Sequence, residues 1–221
     1  MNSDGIAFGD GFKSVRFADT AFLHYQKEIF DLNIVLASAS PRRKELMEML
    51  EVENLIVIPA KGEEIPPEHA GPGELVMALS AAKAREVAAQ RGPEDLVIGA
   101  DTIVWFRDRA YGKPHSREDA IRMLEELSGN THRVYTGVTV IAGGREIREY
   151  EESRVRFRPL SRAEIERYVD TGEPMDKAGA YGAQGKGALL VEGIEGDFFN
   201  VMGLPLCRLA QMLRKQGVEI L

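Results

Sequence analysis

Residues Leu36 to Leu50 read LASASPRRKELMEML, and the reading of the fold starts there. Ile34, Val35 and Leu36 form the end of a buried strand, Ala37-Ser38-Ala39 a small-residue turn, and an amphipathic helix follows. Ser40 is the expected N-cap and Pro41 the first helical residue, where a missing N–H costs nothing. Leu46, Met47 and Leu50 recur at the spacing of one helix face. Arg42 and Arg43 fall in the first turn, where positive charge opposes the helix dipole unless an anion sits beside it. Unpaired first-turn N–H groups, two hydroxyls and two guanidiniums are a set suited to phosphate.

The composition narrows the field. At 221 residues the chain suits one α/β domain or a tightly merged pair. A formal charge of −7 argues against a general nucleic-acid or membrane-surface binder, and local basic clusters in an acidic chain point to a focused site for a small polyanion. A single cysteine, Cys207, excludes an intramolecular disulfide framework and fits a reducing compartment. Its place in a late apolar helix predicts burial. Without an apolar run of membrane-spanning length or a signal-peptide core, a cytoplasmic location is expected.

Met1 to Leu32 read as an N-terminal extension, with Phe22 to Phe30 as a short helix or docking segment, and residues 33–221 as the domain. Asn54 to Pro59 reads as a short strand, Lys61 to Glu64 as a loop, and Gly73 to Gln90 as a helix. Leu75, Leu79, Ala82 and Val87 give that helix a partial apolar stripe with Lys83 among them. Leu96 to Phe106, LVIGADTIVWF, is the central strand, and an Asp101 buried within it must be paired, metal-bound or catalytic. Lys113 falls on a constrained loop, Ser116 caps a helix to Leu127, and His132–Ile141 and Glu146–Arg158 form two long strands. Ser161 and Glu164 make a capping box. Glu173 to Gly187, EPMDKAGAYGAQGKG, is a glycine-rich segment with Asp176, Lys177, Tyr181 and Gln184 as polar contacts. Ala188–Val191 and Phe198–Met202 read as closing strands and Leu204–Lys215 as a terminal helix.

The four histidines lack metal-ligand spacing, and no paired nucleophile and base suggests covalent catalysis. What remains is a set of both signs: Arg42, Arg43, Lys83 and Lys113 against Glu63, Glu64, Asp101 and Asp176. Hydrolysis of a phosphoanhydride needs both. Carboxylates hold a hard divalent cation, cationic side chains neutralise phosphate charge, and one carboxylate takes a proton from water. Asp101, held in a strand, suits the last role.

SASPRR, GADT, GKP and GEPMDKAGAYGAQG occur in this order, and NVMGLPL (Asn200 to Leu206) follows. Together they resemble the Maf family of nucleoside triphosphate pyrophosphatases from about Ile34 to the terminal helix. The resemblance implies an α/β protein of Maf/ITPase-like fold, with a long mixed sheet, flanking helices and a deep cleft between two lobes. It implies a nucleoside triphosphate substrate, cleaved with a divalent cation (magnesium or manganese) to the monophosphate and pyrophosphate in a house-cleaning role, and it allows a homodimer. Asp101 is then the proton acceptor; Ser38, Arg42, Arg43, Lys83 and Lys113 contact phosphate; Glu64 and Asp101 lie at the metal. Arg42, Thr102 and Gln184 stand at the positions that separate the family's branches and resemble the branch acting on dTTP and UTP, with modified pyrimidines as further expected substrates. An amide at Gln184 can both donate and accept against a pyrimidine edge, where a carboxylate repels O4. Two departures stand out: Ala78 replaces an arginine that relatives often carry, and Glu63-Glu64 replaces an Asp-Glu pair. The 7-methyl-GTP branch and a non-catalytic nucleotide-binding regulator of septum formation are the alternatives.

Overall fold

The computed structural model describes residues 32–52 and 54–220. The segment Phe22–Phe30, with the rest of the extension up to residue 31, lies outside them.

A seven-stranded mixed sheet of order β2-β1-β3-β5-β6-β7 organises the chain, with β4 paired to β3. β1 (Asn33–Ala37) leads into α1 (Pro41–Glu48) and then β2 (Leu55–Val57), parallel to β1. After α2 (Pro72–Ala88), β3 (Asp95–Phe106) pairs antiparallel with β5 (Thr131–Ala142) along most of its length. Its other edge is shared. β1 covers Asp95–Gly99 and β4 (Arg109–Tyr111) covers Val104–Phe106, so neither pairs with residues 100–103. α3 (Arg117–Leu127) precedes β5, and a Gly143-Gly144 turn joins β5 to β6 (Arg145–Phe157). α4 (Arg162–Val169), three short 3-10 segments between Glu173 and Leu190, and β7 (Val191–Glu195) follow, then α5 (Phe198–Met202) and α6 (Leu206–Lys215).

Strand alternation divides the packing. On one face Leu36, Leu96, Ile98, Val138 and Val140 pack with Leu46 and Met47 of α1 and Leu209, Met212 and Leu213 of α6. Further along, Val104, Val134, Val155 and Phe157 pack with residues of α3 and α4. Thr102 lies between these two clusters in the β3 sequence, on the same alternation. Odd-numbered Val97 and Ile103 turn to the opposite face, where they pack with Ala84 and Val87 and with Val76 of α2.

Four expectations are corrected. The buried face of α2 is Gly73, Val76, Ser80, Ala84 and Val87 with Leu79, whereas Ala82 is exposed and Leu75 half-buried. The reason is close approach: a Cβ on Gly99 would lie 2.4 Å from the Ser80 carbonyl oxygen, and one on Gly137 2.3 Å from Val76 backbone. A helix seated that near a sheet presents small side chains and backbone, not a wide apolar stripe. Phe198–Met202 is helical, because Asp197 caps it through the Phe199 N–H (2.7 Å) and Gly203 ends it with φ +110°. Residues 188–190 belong to a 3-10 segment and the strand begins at Val191. Cys207 is exposed, because Leu206, Leu209 and Leu213 define the inner face of α6 and Cys207 lies off it. Among the described residues no helix is long and apolar enough to cross a membrane.

Candidate functional site

The stretch of β3 that neither β1 nor β4 pairs with borders an open cavity of about 1100 Å³. Alternation sends Asp101 toward α2 and Thr102 to the other face. Ser38, Arg42, Arg43, Glu64, Lys83, Asp101, Thr102, Lys113 and Gln184 all line this one cavity. The sequence-expected site residues are therefore brought together. Glu63 and Ala78 are not in the lining.

At the start of α1, Ser40 holds the N-cap position but its hydroxyl makes no cap bond. The turn is instead braced by Ser38, whose Oγ accepts from the Ser40 N–H (3.1 Å) and from Arg43 Nη1 (3.3 Å). Both acceptor positions of that hydroxyl are filled, and its proton remains for a ligand. Arg43 also donates from Nε to the Gly203 carbonyl (2.8 Å) and from Nη2 to Thr102 Oγ1 (3.0 Å). All three partners are neutral. Burial pulls the guanidinium below its usual range, opposed by the nearby Asp101 carboxylate, and an arginine still stays charged. Arg43 is thus a fixed cation with two N–H groups to spare and no ion pair among the described residues, and an anion would complete it.

On the other side of the gap, Lys83 Nζ lies 2.5 Å from Asp101 Oδ1 and 2.9 Å from Glu64 Oε1. Asp101 is held by a buried strand, and Glu64 reaches in from an exposed loop. That loop is tethered by the Lys61 and Gly62 N–H groups, which donate to Glu86 of α2 at 2.7 and 2.8 Å. Two carboxylate oxygens converging on one ammonium mark a position that accepts a cation. The donor set is oxygen only, and among the described residues no cluster of three or more acidic, histidine or cysteine ligands exists. Two carboxylates completed by phosphate and water suit magnesium or manganese, so Glu64 and Asp101 fit the expected divalent ion. Lys113 lines the cavity as an exposed cation with no ion pair among the described residues.

The glycine-rich segment forms the remaining wall. Arg42 Nη1 meets Asp176 at 3.2 Å, joining α1 to this segment, and Lys177 Nζ holds Asp176 Oδ1 and the Glu173 carbonyl, both at 2.6 Å. Burial alone would raise the Asp176 pKa, but Lys177 and Arg42 prevail and hold it below the ordinary carboxylate range. Glu173 organises the turn before β7, accepting from the N–H groups of Lys186 and Gly187 and from the Tyr168 hydroxyl, each at 3.0 Å. Behind it, the Tyr181 hydroxyl meets His132 Nε2 at 2.8 Å. Gln184 is exposed at the cavity wall, and its amide makes no hydrogen bond among the described residues.

The sequence reading missed four supports of this site: His132, Glu173, Thr136 and Asn200. Asn200 carried a signal, a lone amide between the apolar Phe199 and Val201, three residues after Asp197. Glu173 carried less, and Thr136 none beyond its place in an alternating strand.

The model of the family described as Maf-like protein matches residues 33–216. The chain belongs to the Maf-like family. A dTTP/UTP pyrophosphatase of Agathobacter rectalis is 51% identical over 204 residues, covering 85% of this chain and 98% of its own. One of Methanosarcina barkeri is 51% identical over 189 residues (85% and 95%), and one of Bacillus cereus (strain B4264) is 44% identical over 187 residues (85% and 97%). Among solved structures, a dITP/XTP pyrophosphatase of Mycobacterium abscessus aligns at 15% identity over 84% of this Maf-like chain and 95% of its own, with a TM-score of 0.41, too loose a match to bear on the site.

Proposed function

We propose that this Maf-like protein hydrolyses dTTP and UTP, ordinary or base-modified, to the monophosphate and pyrophosphate. The carrying observation is the pair of opposed groups across the β3 gap: Arg43, held only by neutral acceptors, facing the Asp101–Lys83–Glu64 cluster. The relatives named dTTP/UTP pyrophosphatase support the choice of reaction.

Water attacks the α-phosphorus as the bond to the bridging oxygen of the β-phosphate breaks, and Asp101 takes the proton of the attacking water. Arg43, the Ser38 hydroxyl and Lys113 hold the phosphate chain and oppose the charge that builds on leaving pyrophosphate. Glu64 and Asp101 would hold magnesium or manganese, which when bound supplies further neutralisation of the phosphate oxygens. Lys83 keeps the two carboxylates turned toward each other. Gln184 meets the pyrimidine edge, its amide able to accept from N3–H and donate to O4. With one cysteine fitting a reducing compartment, the same reading places the protein in the cytoplasm.

The test is pyrophosphate release from a panel of nucleoside triphosphates with magnesium or manganese, beside Asp101→Asn. Release from dTTP and UTP should fall at least about 100-fold in the variant, the scale of a lost general base, with UTP binding retained. A variant turning over at near the native rate removes Asp101 as the base, and binding of UTP without release by the native protein removes the reaction.

A further inference from the structure

Thr102 lies on the cavity wall, yet its hydroxyl has no proton left for a ligand. The direction of each hydrogen bond follows from its end point. The Asn200 carbonyl can only accept, so Thr136 Oγ1 donates to it across 2.9 Å. Thr136 has then used its one proton and is the acceptor in its 2.9 Å contact with Thr102 Oγ1. Thr102 therefore donates to Thr136, and accepts from Arg43 Nη2 at 3.0 Å. The chain runs one way, from guanidinium to Thr102 to Thr136 to the Asn200 carbonyl.

Its far end is fixed. Asn200 and Thr136 are fully buried, and Asn200 Nδ2 donates to the Val134 carbonyl (3.0 Å) and to Ser153 Oγ (2.9 Å). These two bonds pin α5 to the β5–β6 hairpin. Gly203, just beyond α5, supplies the acceptor for Arg43 Nε. One short helix thus sets both the carbonyl that ends the relay and the carbonyl that grips the guanidinium directly.

We propose that Thr102 and Thr136 are positioning residues that aim Arg43 at the phosphate chain, and that Thr102 influences substrate through Arg43 without reading the base. The inference rests on the pyrophosphatase reading and reassigns the role of a position that the family resemblance links to specificity.

Thr136→Val keeps the shape and removes the hydroxyl, whereas Thr136→Ser keeps the hydroxyl. Inorganic tripolyphosphate binding by calorimetry reports on Arg43 with no base present, and kcat/KM on UTP and GTP reports on selectivity. Thr136→Val and Thr102→Val should each weaken tripolyphosphate binding and kcat/KM by about tenfold, the size of a hydrogen bond to a charged group. The UTP-to-GTP ratio should stay constant, Thr136→Ser should restore both readouts, and the double valine variant should be no worse than Thr102→Val alone. Should Thr136→Val not fold, the Thr102→Val and Thr102→Ser pair carries the same comparison. The proposal is overturned if Thr102→Val shifts the UTP-to-GTP ratio tenfold, or if either valine variant binds tripolyphosphate like the native protein. A native protein that binds tripolyphosphate but releases no pyrophosphate from any nucleotide removes the enzymatic reading, while the binding comparison still decides the relay.

Discussion

Acidification from pH 7 to pH 5 should cost this fold about 2 kcal/mol through His132 alone. The ring is 1% exposed, packed edge-on against Phe157 and Tyr181 with centroids at 5.0 and 5.3 Å. Nε2 meets the Tyr181 hydroxyl, Nδ1 has no partner among the described residues, and burial pulls the pKa from 6.5 down to about 3. The folded protein thus keeps this histidine neutral across the whole pH 5–7 window, while the unfolded chain protonates it below 6.5. The unfolded state then binds more protons, so stability falls as pH drops through 6.5, and goes on falling until the folded-state value near 3 is reached. The full slope is about 1.4 kcal/mol per pH unit, and integrating the partly protonated region near 6.5 gives about 2 kcal/mol between pH 7 and 5. For a domain of this size that lowers the melting temperature by roughly 4–8 °C. The assay is thermal unfolding at pH 7, 6 and 5 for the native protein and for His132→Gln, whose amide can still meet Tyr181. Whatever its absolute stability, the variant should lose this part of the pH dependence, because the exposed His69 and His115 are common to both proteins. Parallel pH profiles for the two proteins, or a His132 ring that titrates near pH 6 by NMR in the folded state, would refute the reasoning.

Glu173→Gln should destabilise the fold by about 1–3 kcal/mol at pH 7, the cost of weakening charge-assisted bonds from two backbone N–H groups and the Tyr168 hydroxyl. Burial raises the Glu173 pKa but the Gly187 and Lys186 N–H groups outweigh it and depress the folded value below 4.5, so the contribution is complete above pH 4.5 and disappears on further acidification. Denaturant titrations of the two proteins should therefore draw together as the pH falls below 4.5, and a constant gap would contradict this. Gly137→Ala should lose about 3 kcal/mol in the same titrations, because its Cβ would sit 2.3 Å from Val76 backbone, which cannot rotate away; an unchanged midpoint would mean that α2 is not seated on the sheet as described. Gln184→Glu should lower kcat/KM on UTP about tenfold relative to GTP, as a carboxylate facing O4 replaces a donor; a ratio unmoved in steady-state assays would take Gln184 out of base recognition.

Local chemistry made much of this protein legible. The Ser116 cap, the Ser161–Glu164 capping box and the Gly143-Gly144 turn each follow from side chains within a few residues, and each is found in place. The convergence of Arg42 and Arg43 on one cavity was legible for a related reason, since arginines in a first helical turn are unfavourable without a partner. What failed depended on distant chain. Phe198–Met202 has the apolar residues of a strand, and its local Asp197 cap and Gly203 stop are backed by buried bonds from Asn200 to Val134 and Ser153 that seat the helix on distant strands. The α2 face was misread because two glycines, in β3 and β5, let the helix approach closely. The same limit holds within the site. Ser38 and Thr102 carry the same functional group and both accept from Arg43, yet only Ser38 retains a proton for a ligand. The difference is made by a carbonyl 64 residues beyond Thr136 in the chain. A hydroxyl near a ligand is a donor or an acceptor according to what already takes its proton, and residue type alone leaves that undecided.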